Sequence, residues 1–134
     1  MTFATAINCL DGRVQEPVIR FLKETYELDY VDMVTEPGPN RILSEEKESF
    51  RIESIRKRVQ LSVERHGSEL VAISGHYDCA GNPSDESAQK RQIRSAMRML
   101  ESWNFNVSIV GLWVNSHWAV VPIDAPENAP SIGR

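Results

Sequence analysis

Residues 70–74, Leu-Val-Ala-Ile-Ser, form an unbroken apolar run too short for a buried helix. A strand covered on both faces of a parallel sheet requires such a run. Residues 3–8 and 107–114 read the same way, and residues 30–35 alternate with β-branched side chains. Helical spacings separate these segments. Val18, Phe21, Leu22 and Tyr26 follow Pro17 and predict a helix over residues 16–27, with proline in the first turn where a missing N–H is harmless. Ile52, Ile55, Val59 and Val63 predict a long helix capped by Ser44 and ended by Gly67, and Ile93, Ala96, Met97 and Leu100 predict another capped by Ser84. The two prolines and one glycine of residues 36–40 predict an irregular loop.

Residues 118–123 return after the short Asn115-Ser116-His117 connection as an antiparallel edge partner. Strands alternating with helices give an α/β fold: three layers, α/β/α, around a mostly parallel sheet of four to five strands. Residues 1–124 are expected to form one domain and residues 125–134 a loose tail. A length of 134 residues suffices for one core without disulfides or a structural metal. Any metal would therefore serve chemistry or local order.

Charge narrows the partners. With 15 Lys and Arg against 19 Asp and Glu, the chain presents no general field attractive to phosphate backbones, so no nucleic-acid partner is expected. The basic residues Arg51, Arg56, Lys57 and Arg58 stand among Glu45, Glu46, Glu48 and Glu53 and read as a solvated, self-paired face. No apolar run is long enough to span a bilayer and the first residues lack signal-peptide character, so a cytoplasmic location and no membrane partner are expected. In a reducing compartment, the two cysteines, Cys9 and Cys79, are more readily buried thiols or metal ligands than a disulfide.

In sheets of this kind ligands bind beyond the carboxyl ends of the strands, where strand order reverses. Cys9 ends the first strand, and His76 and Cys79 follow the third. Two thiolates and an imidazole suit zinc, and three protein ligands leave a fourth position for water or substrate. Asp11 stands where it can accept a hydrogen bond from zinc-bound hydroxide, and Arg13 where a bidentate pair can hold that carboxylate ionised and aimed. Such a hydroxide attacks an electrophilic carbon such as that of carbon dioxide.

Cys9-x-Asp11-x-Arg13 followed by Gly75-His76-x-x-Cys79 resembles the paired signature of the β-class carbonic anhydrases, and the resemblance runs from the first strand through the fourth. Residues 30–43 also echo that family's second strand and its Arg-Asn-Ala-Gly-Asn loop. The resemblance implies zinc on Cys9, His76 and Cys79, an Asp11–Arg13 dyad beside it, and interconversion of carbon dioxide and bicarbonate. It further implies a homodimer or higher homo-oligomer. Hydrolysis of carbonyl sulfide or carbon disulfide on the same site is an alternative, as is a non-catalytic zinc module.

The chain departs from the family pattern at named places. Gly12 replaces a common serine, Glu36 stands where the loop echo has arginine, and Ala80 follows Cys79 where glycine is usual. Only eight residues precede Cys9, so the amino-terminal helices with which members of that family embrace a partner are not expected here. Asp78 is a second candidate carboxylate for Arg13, and His117 a candidate proton carrier near the end of the fourth strand. Trp113 and Trp118 read as core cover or an apolar patch.

Overall fold

The structure, a computed structural model, describes residues 2–45 and 49–123. The expected tail lies outside these residues. In chain order the elements are β1 (Phe3–Cys9), α1 (Gln15–Tyr26), β2 (Tyr30–Glu36), α2 (Pro39–Ser44), α3 (Phe50–His66), β3 (Leu70–His76), α4 (Glu86–Ser102), β4 (Ser108–Val114) and β5 (Val120–Ile123). The sheet order is β2-β1-β3-β4-β5, with β5 antiparallel to β4 and the rest parallel.

This order dictates where the helices lie. The β1–β2 connection travels one way along the sheet and the β2–β3 and β3–β4 connections travel the other, so right-handed crossovers put α1 on one face and α3 and α4 on the opposite one. The packing agrees. Ile7, Val71, Ile73 and Trp113 join Ile55 and Val59 of α3 and Ile93 and Met97 of α4 in one core layer. On the other face Ala4, Ala6 and Ala72 meet Val14, Val18 and Leu22, small strand residues allowing a single helix to sit close. Strand order reverses beside β1 and β3, whose carboxyl ends carry Cys9 and His76.

Several boundaries differ from expectation for identifiable reasons. The loop at 36–40 is not wholly irregular: Gly38 adopts a left-handed φ of 61°, and Pro39, with its φ preset, opens α2. Ser44 does not cap the long helix. It ends α2, its hydroxyl donating to the Arg41 carbonyl, while Ser49 caps α3 by accepting the Ile52 N–H at 3.2 Å. Likewise Asp85, not Ser84, caps α4, accepting the Ala88 N–H at 2.9 Å. Residues 46–48, expected in the first turn of the long helix, lie outside the described ones. Ser49→Ala is therefore expected to cost about 1 kcal/mol, a fall of about 4 °C in a thermal melt, and Ser44→Ala distinctly less.

At the sheet end opposite the cysteines, a hydrogen-bond chain joins the layers. Ser62 of α3 donates to Asp32 at 2.7 Å and meets the hydroxyls of Thr5 and Ser68, while His66 Nδ1 reaches the same carboxylate at 2.6 Å. These groups satisfy one another where polar atoms are buried. Among the described residues no helix is long and apolar enough to cross a membrane.

Candidate metal centre

Cys9 closes β1 with its strand pairing intact to Glu36, and the chain then turns sharply. The turn is built from side chains. Asp11 accepts the Arg13 N–H at 2.9 Å, and Gln15, entering α1, donates to the carbonyls of Cys9 at 2.5 Å and Asp11 at 3.2 Å. On the neighbouring strand, His76 ends β3 and the chain folds back through Tyr77 and Asp78 to Cys79. Tyr77 N–H still donates to the Val114 carbonyl at 2.9 Å, anchoring the start of this ligand loop to the sheet.

These two turns bring Cys9, His76 and Cys79 together, all buried, with their ligand atoms within 4.8 Å of one another. The sulfurs are 3.8 Å apart and both thiols are free. That separation is far beyond a disulfide bond and close to the roughly 3.8 Å that two sulfurs at about 2.3 Å from one tetrahedral zinc would show. His76 Nδ1 lies 2.7 Å from the Tyr77 carbonyl, which can only accept, so Nδ1 carries the hydrogen and the lone pair sits on Nε2. Nε2 is buried and has no hydrogen-bond partner. A buried ring nitrogen with no geometric hydrogen bond, whose nearest interaction is with the Cys9 sulfur, suits a shared metal ion.

Electrostatics favour thiolate. The Cys79 thiol, donating to the Cys9 sulfur, lowers the Cys9 pKa against the opposing effect of burial, and the His76 ring and the Gly38 and Asp11 N–H groups act the same way. Cys79 is raised correspondingly, first by that bond to Cys9 and then by burial, although the Gly81 and Asn82 N–H groups favour its ionised form. Backbone amides from three loops thus favour the ionised form of the two sulfurs. A dication would displace the remaining proton.

Asp11 and Arg13 form the expected pair, with Nη2 to the carboxylate at 2.7 Å and Nε at 3.1 Å. The Arg13 hydrogen bonds hold the Asp11 carboxyl down to about 2, well below the usual carboxylate range, despite some burial. Asp78 does not compete with Asp11 for Arg13 but shares it, through its carboxylate at 3.3 Å and its carbonyl at 3.1 Å. Trp113 is core, whereas the Trp118 ring covers Arg13 at 4.5 Å from centroid to Cζ. His117 is exposed in the β4–β5 turn, its N–H on Asn115. Glu36, the reversed charge, is paired with Arg58, and Arg56 with Glu53.

One organising residue escaped the sequence reading. Gln89, buried on α4, accepts the His76 N–H at 3.2 Å and donates to the carbonyls of His76 at 2.9 Å, Asn82 at 3.3 Å and Ser84 at 3.3 Å. It ties both ends of the ligand loop to one helix. Asn40 and Gln92 extend the network, Asn40 donating to Gln89 at 3.2 Å and Gln92 accepting from Asn82 at 2.7 Å. The signal was present: carrying the stripe of Ile93, Met97 and Leu100 back one turn lands on Gln89, an amide on a buried face.

Fold and cluster define an α/β protein with a Cys₂His group at the switch point of a parallel sheet. Residues 1–124 match the family model described as "Putative carbonic anhydrase", and the chain belongs to that family. Solved structures of similar fold include carbonic anhydrases, several of them described as β-class. Isoform I from Trichomonas vaginalis is 15% identical with a TM-score of 0.57, over 90% of this chain and 82% of that one. Carbonic anhydrase from Glaciozyma antarctica is 14% identical at 0.59, over 90% and 81%. A tetrameric β-carbonic anhydrase from Sordaria macrospora is 9% identical at 0.61, over 91% and 80%. No curated protein matches the sequence significantly.

Proposed function

We propose that the chain is a zinc-dependent carbonic anhydrase that interconverts carbon dioxide and bicarbonate, with Cys9, His76 and Cys79 as the metal ligands. The observation that carries this reading is the buried His76 Nε2 beside two cysteine sulfurs, within a chain of the carbonic anhydrase family. Zinc held there supplies Lewis acidity that brings the pKa of water toward neutrality.

The remaining work falls to the chain's own groups. Asp11, ionised at neutral pH, accepts a hydrogen bond from the attacking water and so directs its lone pair toward the substrate carbon. Arg13 keeps that carboxylate charged and fixes its plane through two hydrogen bonds. The Tyr77 carbonyl holds the His76 ring in the tautomer that offers Nε2. A homo-oligomer is part of the proposal, by analogy with the Sordaria macrospora enzymes described as tetrameric.

Metal analysis followed by stopped-flow carbon dioxide hydration across pH tests the reading. One zinc per chain with hydration supports it. Zinc with no hydration at any pH would shift the assignment to carbonyl sulfide or carbon disulfide hydrolysis, or to a non-catalytic metal module. Asp11→Asn is expected to keep the metal and lower kcat by about 10²- to 10³-fold, because an amide can present its donor face to the water instead of accepting. Full activity in that variant would remove Asp11 from the mechanism.

A further inference from the structure

Arg13 makes more contacts than a partner for one carboxylate needs. Besides Asp11, its Nη1 donates to the Asp78 carboxylate at 3.3 Å and its Nη2 to the Asp78 carbonyl at 3.1 Å. Trp118 lies over the guanidinium, and Tyr77 meets the Trp118 ring edge-on at 6.4 Å between centroids. These partners come from three separate loops: the turn after β1, the ligand loop after β3, and the β4–β5 hairpin.

The surrounding backbone is shaped for the arrangement. Asp78 and Trp118 both hold left-handed φ angles, 57° and 59°. An aspartate tolerates that region; a tryptophan seldom enters it unless its surroundings compel it. Asn115 supplies the compulsion, its Oδ1 accepting the N–H of His117 at 2.9 Å and of Ala119 at 3.1 Å. The indole is thereby turned onto Arg13.

We infer that Trp118 and Asp78 are positioning residues that lock the Arg13 guanidinium in the plane of the Asp11 carboxylate, and so hold Asp11 in place beside the metal ligands. An Asp–Arg pair whose arginine side chain is 46% exposed would by itself be loose. The bond to the Asp78 carbonyl and the Trp118 face restrict it, and the exposed Asp78 carboxylate adds a longer contact at 3.3 Å. With Nε, Nη1 and Nη2 engaged, Arg13 serves as a brace and not as a free receptor for an anion. The catalytic consequence rests on the carbon dioxide reading above; the lock itself does not.

The test uses Trp118→Leu, Trp118→Phe and Asp78→Asn in metal-loaded protein, with cobalt replacing zinc for spectroscopy. The Arg13 Nε–H resonance reports the lock by NMR of the zinc form, and the thiolate-to-cobalt absorption band reports the ligand set. Trp118→Leu and Asp78→Asn are expected to speed exchange of the Nε–H about fivefold or more while leaving the cobalt band in place, and Trp118→Phe to retain the wild-type signal. Hydration should follow, kcat falling about fivefold in the first two variants with KM within about twofold. An Nε–H signal unchanged in both Trp118→Leu and Asp78→Asn overturns the inference. So does a shifted cobalt band, which would make these residues general supports of the ligand loop. If the wild type hydrates no carbon dioxide, the function reading fails and the NMR comparison still decides the lock.

Discussion

His76→Ala is expected to strip the protein of its metal and reduce hydration to background. Four-ligand zinc sites bind with about 10–16 kcal/mol, so one ligand in four is worth about 2.5–4 kcal/mol, and affinity should fall about a hundred- to a thousandfold. The loss is steep because the two sulfurs are fixed 3.8 Å apart and the nearby Asp11 carboxylate is held by Arg13 rather than free to take the imidazole's place. Cys79→Ser should behave similarly, since a hydroxyl is a far poorer zinc ligand than a thiolate. Inductively coupled plasma analysis and competition with a chromogenic chelator measure the affinity. Circular dichroism checks the fold. A His76→Ala protein that retains one tightly bound zinc would remove His76 from the ligand set.

The same logic predicts what metal removal does to stability. An ion that binds the folded chain and not the unfolded one adds about 4 kcal/mol at a thousand times its dissociation constant. Chelated protein should therefore melt lower than loaded protein, and re-addition of zinc should restore the midpoint.

Much of this architecture was legible because it rests on local rules. Parallel strands buried on both faces must be apolar throughout, so Leu70 to Ile73 announced β3, and the cysteines and histidine drew notice by standing at strand ends. The cluster was readable through residue type and spacing. Caps were harder. Ser44 and Ser49, or Ser84 and Asp85, are chemically near-equivalent acceptors, and only the tertiary path of the preceding loop decides which meets a free N–H. Least readable were Gln89 and Trp118, whose roles depend on distant carbonyls and on a guanidinium more than a hundred positions away along the chain from the indole. Ala80 misled in the same way. It is exposed, and the close approach that demands glycine occurs at Gly81, where a Cβ would stand 2.7 Å from that of Pro37.

Gly38→Ala is expected to be the most damaging single-methyl addition near the site. Two costs combine. The residue holds φ at +61°, a region that costs a side-chain-bearing residue about 1–2 kcal/mol. An added Cβ would also stand 2.8 Å from the Asn82 Cβ and 2.9 Å from the Gly81 carbonyl oxygen. Neither neighbour is the free end of a flexible side chain, so relief requires the two loops to part, at a typical overpacking cost of about 1–3 kcal/mol. Together, about 3–4 kcal/mol should lower the melting midpoint by more than about 10 °C. Gly67 separates the two contributions: its φ is +69° but nothing lies within 4 Å of an added Cβ, so Gly67→Ala should show the backbone cost alone. The difference between the two variants then reads as the steric part. That steric part should also appear in metal affinity, because the Gly38 N–H supports the Cys9 sulfur while the Gly81 and Asn82 N–H groups support that of Cys79. Prising the loops apart moves both ligands at once. Gly38→Ala should therefore bind zinc about 10- to 100-fold more weakly, as loss of supporting hydrogen bonds does elsewhere, while Gly67→Ala binds it normally. Equal melting midpoints and equal zinc affinities in the two variants would show that the 38–82 contact does not brace the site.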